Sequence, residues 1–374
     1  MTRWPDSRLA TLLGVEVPIV QAPMAGASDA ALAIAVSRAG GLGSLPCAML
    51  KPEAIRAEVA SVRAATDRPL NLNFFCHTPI EADSQQQVRW TRRLQSLYEE
   101  FGLSAHAPPP GPARVPFDAT SCELVEALRP EVVSFHFGLP APELLASVKA
   151  AGCVVLGSAT TVAEACWLEA QGADAVIAQG AEAGGHRGMF LVSEEAGGLT
   201  SAVASQPGTL ALVPQICDAV RVPVIAAGGI GDGRGIAAVM MLGASGVQIG
   251  TAFLFTQEAR ISKLHRAALD AARADDTVLT NVFTGRPARS LRNRAVRELG
   301  PLNVDAPAFP HAGAAMAPLR AAAEGRDSGE FSPLWSGQGA PLGHQPGRDM
   351  GAGDLVRQLS DHVEALLREI ASGD

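Results

Sequence analysis

The sequence predicts an α/β fold: a (β/α)₈ TIM barrel with an inserted segment and a mainly helical C-terminal extension. Three observations predict it. Short apolar runs alternate with helix-like segments about eight times. Each strand-like run is continuously apolar, which is typical of parallel strands buried on both faces. The alternation covers about 240 residues, the usual length of a TIM barrel.

The predicted elements follow one another as a barrel requires. The predicted strands are 17–21, 42–45, 70–75, 132–137, 153–156, 175–178, 224–227 and 246–250. The predicted helices between them include 29–39, 52–65, 141–150, 162–171 and 235–242. A doubly wound sheet is the structural alternative. It is disfavoured because the nearest approach to its G-x-G-x-x-G fingerprint, at 229–234, has Arg234 in place of the third glycine.

Two segments interrupt the alternation and divide the chain into regions. Residues 1–255 are predicted to form the barrel, with an insertion at 76–121 that contains an amphipathic helix and a proline-rich stretch at 108–116. Residues 256–374 are predicted to be mainly helical, with a Gly/Pro-rich loop at 336–353 and a final helix at 355–370. We expect both segments to act as lids over the barrel mouth.

Composition excludes several classes of function. The formal net charge is −8 and no basic stripe occurs, so nucleic acid is not an expected partner. The first residues lack a secretory h-region, and no apolar run approaches the length of a membrane span. The six cysteines are scattered without a C-x-x-C pair, which is typical of reduced thiols in a cytoplasmic protein without a metal site. Two of them, Cys47 and Cys76, follow strands and are interpreted as packing residues.

Glycine-rich loops follow the seventh and eighth predicted strands, where TIM barrels commonly bind phosphate through backbone N–H groups. They contribute Gly228, Gly229 and Gly231, then Gly250 and Thr251. Glycine there permits a ligand to approach the backbone closely. Asp232 is interpreted as the cap of a helix starting at Gly233.

Two histidines follow predicted strands and are candidates for acid–base chemistry. His186 lies in a glycine-flanked loop, where a histidine is held near the barrel mouth and can titrate near neutral pH; the alternative is a loop histidine whose hydrogen bonds are satisfied and that has no chemical role. His136 ends an apolar strand, which favours a buried, hydrogen-bonded histidine. Asn73 and Gln179 are amides at strand ends, able to donate and accept hydrogen bonds at once.

An arginine run near the start of the C-terminal segment is interpreted as a solvated face, with contact to a ligand phosphate as the alternative. Its members are Arg286, Arg289, Arg292 and Arg294.

Three motifs together resemble the nitronate monooxygenase family, formerly called 2-nitropropane dioxygenases. They are Gln21-Ala-Pro-Met-Ala-Gly26, the run from Gln179 to Gly188 that contains Gly-Gly-His-Arg-Gly, and Ala227-Gly-Gly-Ile-Gly-Asp-Gly-Arg234. The resemblance covers residues 18–254. A weaker similarity occurs at Leu334-Trp-Ser-Gly-Gln338.

The resemblance implies an FMN cofactor held without a covalent bond at the barrel mouth. Ala22, Pro23 and Met24 would line its ring, and Asn73 and Gln179 would hydrogen-bond to it. The remaining implied ligand residues are Gly184, Gly185, Gly228, Gly229, Gln248, Ile249, Gly250 and Thr251. His186 would be the catalytic base or would orient substrate, with His136 as a further substrate-side residue.

The implied reaction is oxidation of a nitronate or nitroalkane by O₂ to a carbonyl compound and nitrite. The chain has one tyrosine, Tyr98, and no lysine after Lys263. Some family members carry several tyrosines and a lysine around the substrate, so we expect a different pocket here. The alternatives are an FMN-dependent NAD(P)H reductase of enoyl thioesters or quinones, and a flavin-binding protein without turnover. Neither the physiological substrate nor the oligomeric state follows from the sequence.

Overall fold

A computed structural model describes residues 4–104, 114–192, 198–344 and 350–372. In chain order the strands are β1 Ile19–Gln21, β2 Gly43–Pro46, β3 Leu70–Phe75, β4 Val132–His136, β5 Val154–Ala159, β6 Ala175–Gln179, β7 Gly185–His186, β8 Val224–Ala227, β9 Gly246–Ile249, β10 Thr277–Thr280 and β11 Ala288–Leu291. The helices are α1 Arg8–Leu13, α2 Ala30–Arg38, α3 Pro52–Ala65, α4 Ser84–Glu100, α5 Ala119–Leu128, α6 Pro142–Ala150, α7 Val162–Ala170, α8 Gly198–Ala204, α9 Thr209–Ala219, α10 Gly233–Met241, α11 Lys263–Asp270, α12 Arg294–Leu299, α13 Ala312–Glu324, α14 Ala340–Gly343 and α15 Ala352–Ser372.

The main sheet is a barrel of eight parallel strands in the order β1-β9-β8-β6-β5-β4-β3-β2. Its two outer strands meet through Leu42, whose N–H donates to the carbonyl oxygen of Ile19 at 2.9 Å and whose carbonyl accepts from the N–H of Gln21 at 3.0 Å. The predicted barrel is therefore confirmed. Each predicted strand coincides with a barrel strand to within three residues at either end.

The helices after the strands begin where side chains cap them. Asp29 accepts from Ala31 N at the start of α2, and Asp232 accepts from Arg234 N at 2.9 Å and Gly235 N at 3.2 Å at the start of α10. The cap predicted at Asp232 is confirmed. These helices pack on the barrel through apolar faces, such as Leu32 and Val36 of α2, which are fully buried.

The N-terminal end of the barrel is closed by the chain itself. Leu9 and Leu13 of α1 are buried with Val20, Leu42 and inward-facing residues of other strands in one cluster. Burying these aliphatic side chains stabilises the closed end of the barrel. The opposite end, where the strands finish, is consequently the end at which a ligand can enter.

The insertion and the C-terminal segment pack against each other. From α4, Trp90 Nε1 donates to the carbonyl oxygen of Ala312 at 3.4 Å, and the Tyr98 hydroxyl donates to that of Ala315 at 2.6 Å, both on α13. Residues 108–113 of the predicted proline-rich stretch, and 345–349 of the predicted Gly/Pro-rich loop, lie outside the described residues.

The C-terminal segment contributes two strands to an unpredicted sheet, β10-β11-β7, in which β11 pairs with the loop carrying His186.

Within the described ranges, no helix combines the length and apolar character needed to cross a bilayer. The same residues contain no cluster of three or more potential metal-ligating side chains. Burial raises the pKa of the Cys47 thiol to about 12 and that of Cys76 well above its ordinary value, as expected for packing residues.

Candidate active site

A cavity of about 960 Å³ lies at the C-terminal ends of the barrel strands. Most of the predicted site residues line it: Ala22, Pro23, Met24, Asn73, His136, Gln179, Gly184, Gly185, His186, Gly228, Gly229, Gln248, Gly250 and Thr251. Ile249 is the exception. Its side chain is 1% exposed and packs in the core between the barrel and the helices, because side chains alternate along β9. The structure therefore gives no support to Ile249 as a ligand-lining side chain.

The two predicted phosphate loops face this cavity with glycine backbone. Gly228 has a φ of 119° and Gly229 a φ of 70°, a region that glycine adopts without steric cost. At Gly250 an added Cβ would lie 3.4 Å from Cβ of Ala22 and 3.7 Å from the sulfur of Met24. The Thr251 hydroxyl accepts a hydrogen bond from Gly337 N at 2.9 Å, which ties a C-terminal loop to the rim.

Carboxylates already cap the two helices beside these loops. Glu182 accepts from the Thr209 N–H with both oxygens at 2.9 Å and from the Thr209 hydroxyl at 2.8 Å, at the start of α9. Asp232 caps α10 in the same way, by accepting from the N–H groups of Arg234 and Gly235. Thr209 N at the start of α9, and Arg234 N and Gly235 N at the start of α10, are therefore already engaged within the protein.

The loop that carries His186 is held by the amide of Gln179. Gln179 Nε2 donates to the carbonyl oxygen of His186 at 2.9 Å, and its Oε1 accepts from Gly188 N at 2.8 Å. Arg187 is fully buried and donates to the carbonyl oxygens of Gln179 and Gly180, both at 2.7 Å, and to Gln206. Both ends of the Gln179 amide are thus engaged inside the loop, and its hydrogen bond to a flavin stays a prediction.

His136 contacts the same loop from β4. Its Nε2 lies 3.2 Å from the carbonyl oxygen of His186, and the carbonyl can only accept, so His136 donates. Burial, and then the charge of Arg286, lower the pKa of His136 to about 3. His136 is half-buried and neutral at ordinary pH, in agreement with the hydrogen-bonded histidine expected from its strand position.

The ring of His186 projects into an aromatic environment. Ring centroids of Trp335, Phe309 and Phe137 lie 5.4, 5.5 and 6.1 Å from its own. Its Nε2 lies 2.9 Å from the Thr284 hydroxyl oxygen.

Burial foremost, and then the charge of Arg114, the presence of His136 and the charge of Arg286, lower the pKa of His186 well below 6.5. The expectation that His186 titrates near neutral pH is therefore wrong, because its surroundings disfavour the imidazolium.

Two arginines supply positive charge near this ring. Arg114, from the insertion, lines the cavity and lies over the ring of Phe309 at 5.1 Å. Arg286 lies over the ring of Phe137 at 3.9 Å and donates to the carbonyl oxygen of Met189. Neither has a carboxylate within salt-bridge distance among residues that the structure describes.

The solvated face predicted for the arginine run is wrong for two of its four members. Arg289 is 7% exposed and donates to the carbonyl oxygen of Ala181, because β11 turns it inward, and Arg286 is half-buried with its guanidinium over the ring of Phe137. Arg292 is exposed, and Arg294 forms ion pairs with Glu100 and Glu298.

Two amides complete the barrel side of the cavity. Asn73 Nδ2 donates to the carbonyl oxygen and hydroxyl of Ser134 at 3.2 and 3.0 Å. Gln248 Oε1 is buried and has no hydrogen-bond partner in the described part of the chain. An unpartnered buried acceptor is costly, which favours a ligand that donates a hydrogen bond at this point.

Comparison with known proteins agrees with this geometry. The family model described as nitronate monooxygenase matches residues 6–361. The chain belongs to the nitronate monooxygenase family. A nitronate monooxygenase of Pseudomonas aeruginosa is 43% identical over 95% of this chain and 99% of its own length, and one of Paraburkholderia phytofirmans is 40% identical over 97% and 96%. This chain is accordingly an oxidoreductase of the nitronate monooxygenase family.

Solved structures extend the comparison. A nitroalkane oxidase from Streptomyces ansochromogenes is 38% identical, covers 97% of this chain and 100% of its own, and superposes with a TM-score of 0.86. FabK from Thermotoga maritima is 28% identical, with a TM-score of 0.70 and coverage of 98% and 99%. The shared barrel and C-terminal segment are thus a feature of this wider group of structures.

The sequence did not predict three residues that line the cavity near His186: Arg114, Thr284 and Trp335. Thr284 and Arg114 stand outside any motif and beyond the alternating strands and helices. Trp335 lies in a weakly similar motif, but nothing in the sequence placed it beside His186. All three lie in the two segments without the barrel repeat, and no regular spacing of residues there marked them as site residues.

Proposed function

We propose that this chain catalyses the FMN-dependent oxidation of nitronates, and of nitroalkanes after loss of a proton, by O₂ to a carbonyl compound and nitrite. The observation that carries the proposal is the position of His186. Its imidazole borders a cavity whose other wall is built of glycine loops, and two unpaired arginines lie near it. Family membership and the named relatives support the same reaction.

The residues present fit FMN. Gln248 Oε1 offers a buried acceptor without a partner, as a flavin N–H requires. Gly228, Gly229 and Gly250 line the cavity with backbone, and a side chain at Gly250 would lie against Ala22 and Met24 on the cavity wall, which suits a single phosphate and the adjoining ring. When bound, FMN supplies the electron-accepting chemistry.

His186 is the group that takes a proton from a nitroalkane. Its lowered pKa keeps the imidazole neutral, which is the form able to accept a proton. The same arginine charges that oppose the imidazolium favour an anion beside it. Because a nitronate is already an anion, it benefits from these charges without needing the base.

The aromatic side chains around His186 restrict water near the reacting atoms. Phe137 and Phe309 are buried, and Trp335, from the C-terminal segment, packs on the imidazole. Excluding water strengthens the electrostatic interaction between a bound anion and Arg114 or Arg286.

We infer that residues 256–374 form the substrate side of the site and act as its cover. The segment contributes Thr284, Met316, Phe331 and Trp335 to the cavity wall. The insertion 76–121 contributes Arg114. Both segments thus line the site that they were expected to cover, which supports the two-region division at about residue 255.

The test uses the purified flavin-loaded protein. Oxygen uptake and nitrite release on adding propionate 3-nitronate, together with no flavin bleaching by NAD(P)H under anaerobic conditions, is the expected result. Rapid bleaching by NAD(P)H without nitronate turnover would establish the reductase alternative instead. Neither response would leave a flavin-binding protein. Mass spectrometry of the released cofactor distinguishes FMN from FAD, and FAD or no flavin would contradict the cofactor assignment.

A further inference from the structure

We propose that Thr284 is a positioning residue: it holds the imidazole of His186 in the Nε2–H tautomer and thereby leaves the Nδ1 lone pair free to accept a proton. The inference rests on the proposed function, in which His186 moves the proton. It assigns to the C-terminal segment a part in the chemistry of a barrel residue.

The contact is short and buried. His186 Nε2 lies 2.9 Å from Oγ1 of Thr284, and Thr284 is 5% exposed. Nδ1 of His186 has no hydrogen-bond partner among the described residues, and it is not one of the buried unpartnered atoms found there. Nδ1 is therefore the ring nitrogen that remains accessible from the cavity.

The direction of the hydrogen bond follows from the other neighbours of the Thr284 hydroxyl. Its oxygen lies 3.3 Å from the carbonyl oxygen of Arg286, which can only accept, and 3.4 Å from the Arg286 N–H, which donates to it. Donating its single proton to this carbonyl leaves Oγ1 to accept from Arg286 N and from His186, so that all three contacts are hydrogen bonds, whereas donation to His186 would leave the carbonyl contact without a proton. In the arrangement that satisfies all three contacts, the ring carries its proton on Nε2. A neutral imidazole has one N–H, and Nδ1 consequently retains its lone pair.

Among the residues that the structure describes, no other contact on the ring can make this selection. The neighbouring Phe137, Phe309 and Trp335 rings touch the imidazole without a polar atom that separates Nδ1 from Nε2. The backbone carbonyl of His186 is held by His136 and Gln179, which orient the loop but leave the tautomer open. Choice of tautomer therefore falls to Thr284, as an orienting partner does in other histidine-dependent sites.

The tautomer can be measured directly by ¹⁵N NMR of protein labelled at histidine. The ¹⁵N shifts of Nδ1 and Nε2 distinguish a protonated from an unprotonated ring nitrogen, and the signals lost in His186→Asn identify the residue. We expect Nε2–H in the wild type and in Thr284→Ser, and a mixture of tautomers in Thr284→Val. Thr280→Val is the matched control, because the Thr280 hydroxyl is buried and, within the described ranges, accepts only from Val282 N at 3.3 Å.

Kinetics provide the second readout. Thr284→Val should lower kcat/KM for a nitroalkane by about tenfold, the effect of losing one hydrogen bond, while leaving a preformed nitronate nearly unaffected. Thr284→Ser should restore the rate. An Nδ1–H tautomer in the wild type, or an unchanged tautomer in Thr284→Val, would overturn the proposal. The wild-type spectrum decides this even if the valine variant does not fold, and it stands whether or not nitronate is turned over.

Discussion

Nε2 of His136 lies 3.2 Å from the backbone carbonyl oxygen of His186, and the two residues are 50 positions apart in the chain. Gln179 donates to the same oxygen at 2.9 Å. Two side chains, from barrel strands β4 and β6, thus hold the backbone of the residue whose ring borders the cavity. His136 thus contacts the loop of His186, and His186 is the histidine to which we assign proton transfer.

Replacing His186 with asparagine should impair turnover of a neutral nitroalkane far more than turnover of the matching nitronate. The nitronate has already lost the proton that the base removes. General-base catalysis contributes about 10²–10⁴-fold, and the ratio of the two losses should be of that order. Oxygen uptake with each substrate measures it. His362→Asn, at an exposed histidine of α15, is the control and should change neither rate. Equal losses with both substrates would mean that His186 only orients substrate.

Replacing Arg114 with glutamine should move the acid limb of the nitroalkane pH profile to higher pH. In the wild type the pKa of His186 lies well below 6.5, with Arg114 a contributor after burial, so the neutral base persists into acidic solution. Removing that positive charge makes the imidazolium less unfavourable and raises the pKa. The base is then lost at a higher pH.

The measurement is kcat/KM against pH from about 5 to 8, around the ordinary histidine range. Arg292→Gln removes an equal charge from an exposed position and should leave the profile unchanged. A limb that stays in place in Arg114→Gln would show that Arg114 does not act on the catalytic base.

Replacing Gly250 with valine should weaken FMN binding and leave the fold largely intact. The new Cβ would lie within 3.4 Å of Ala22, on the wall where the flavin is proposed to approach. A branched side chain would occupy that space. Gly229→Val should also lose FMN, but its φ of 70° adds backbone strain, so Gly250 gives the clearer result.

Flavin absorbance per mole of folded protein measures the effect. Gly329→Val is the control, since Gly329 does not line the flavin cavity and a Cβ there has neighbours, Leu264 and Leu334, at a similar 3.7 Å. Normal FMN content in both cavity variants would refute the proposed phosphate and ring site.

Replacing Arg187 with methionine should destabilise the protein by about 3 kcal/mol, because buried carbonyl oxygens lose charged donors. Arg187 is fully buried and its guanidinium donates to Gln179, Gly180 and Gln206. Urea denaturation gives the free energy of unfolding. Arg234→Met, at a 67% exposed side chain paired with Asp232, should cost less than about 1 kcal/mol. Equal costs at the two positions would contradict the structural role assigned to Arg187.

Local pattern was sufficient to predict the barrel and the glycine loops, amides and histidines that line its cavity. Strands β3 and β8 and helix α3 were predicted with the same bounds, because each is a run whose burial is visible from its own residues. The glycines at 228, 229 and 250 were informative for the same reason, since their position after a strand is a local property. The exposed face predicted for Arg286 and Arg289 was wrong because Arg286 leads into β11 and Arg289 lies within it, and β11 pairs with β7, a strand much earlier in the chain.

The sequence by itself determined the parallel barrel, and it predicted the rim that lines the cavity and the histidine proposed to act there. These follow from periodicity and from residues adjacent to strand ends, which are set by the local chain. Only the tertiary structure decided what surrounds that histidine: Thr284 on Nε2, Arg114 and Arg286 as unpaired charges, and Trp335 against the ring. The pKa and tautomer of an imidazole depend on charges and partners within a few ångströms, and here those come from segments about 70 to 150 residues away along the chain.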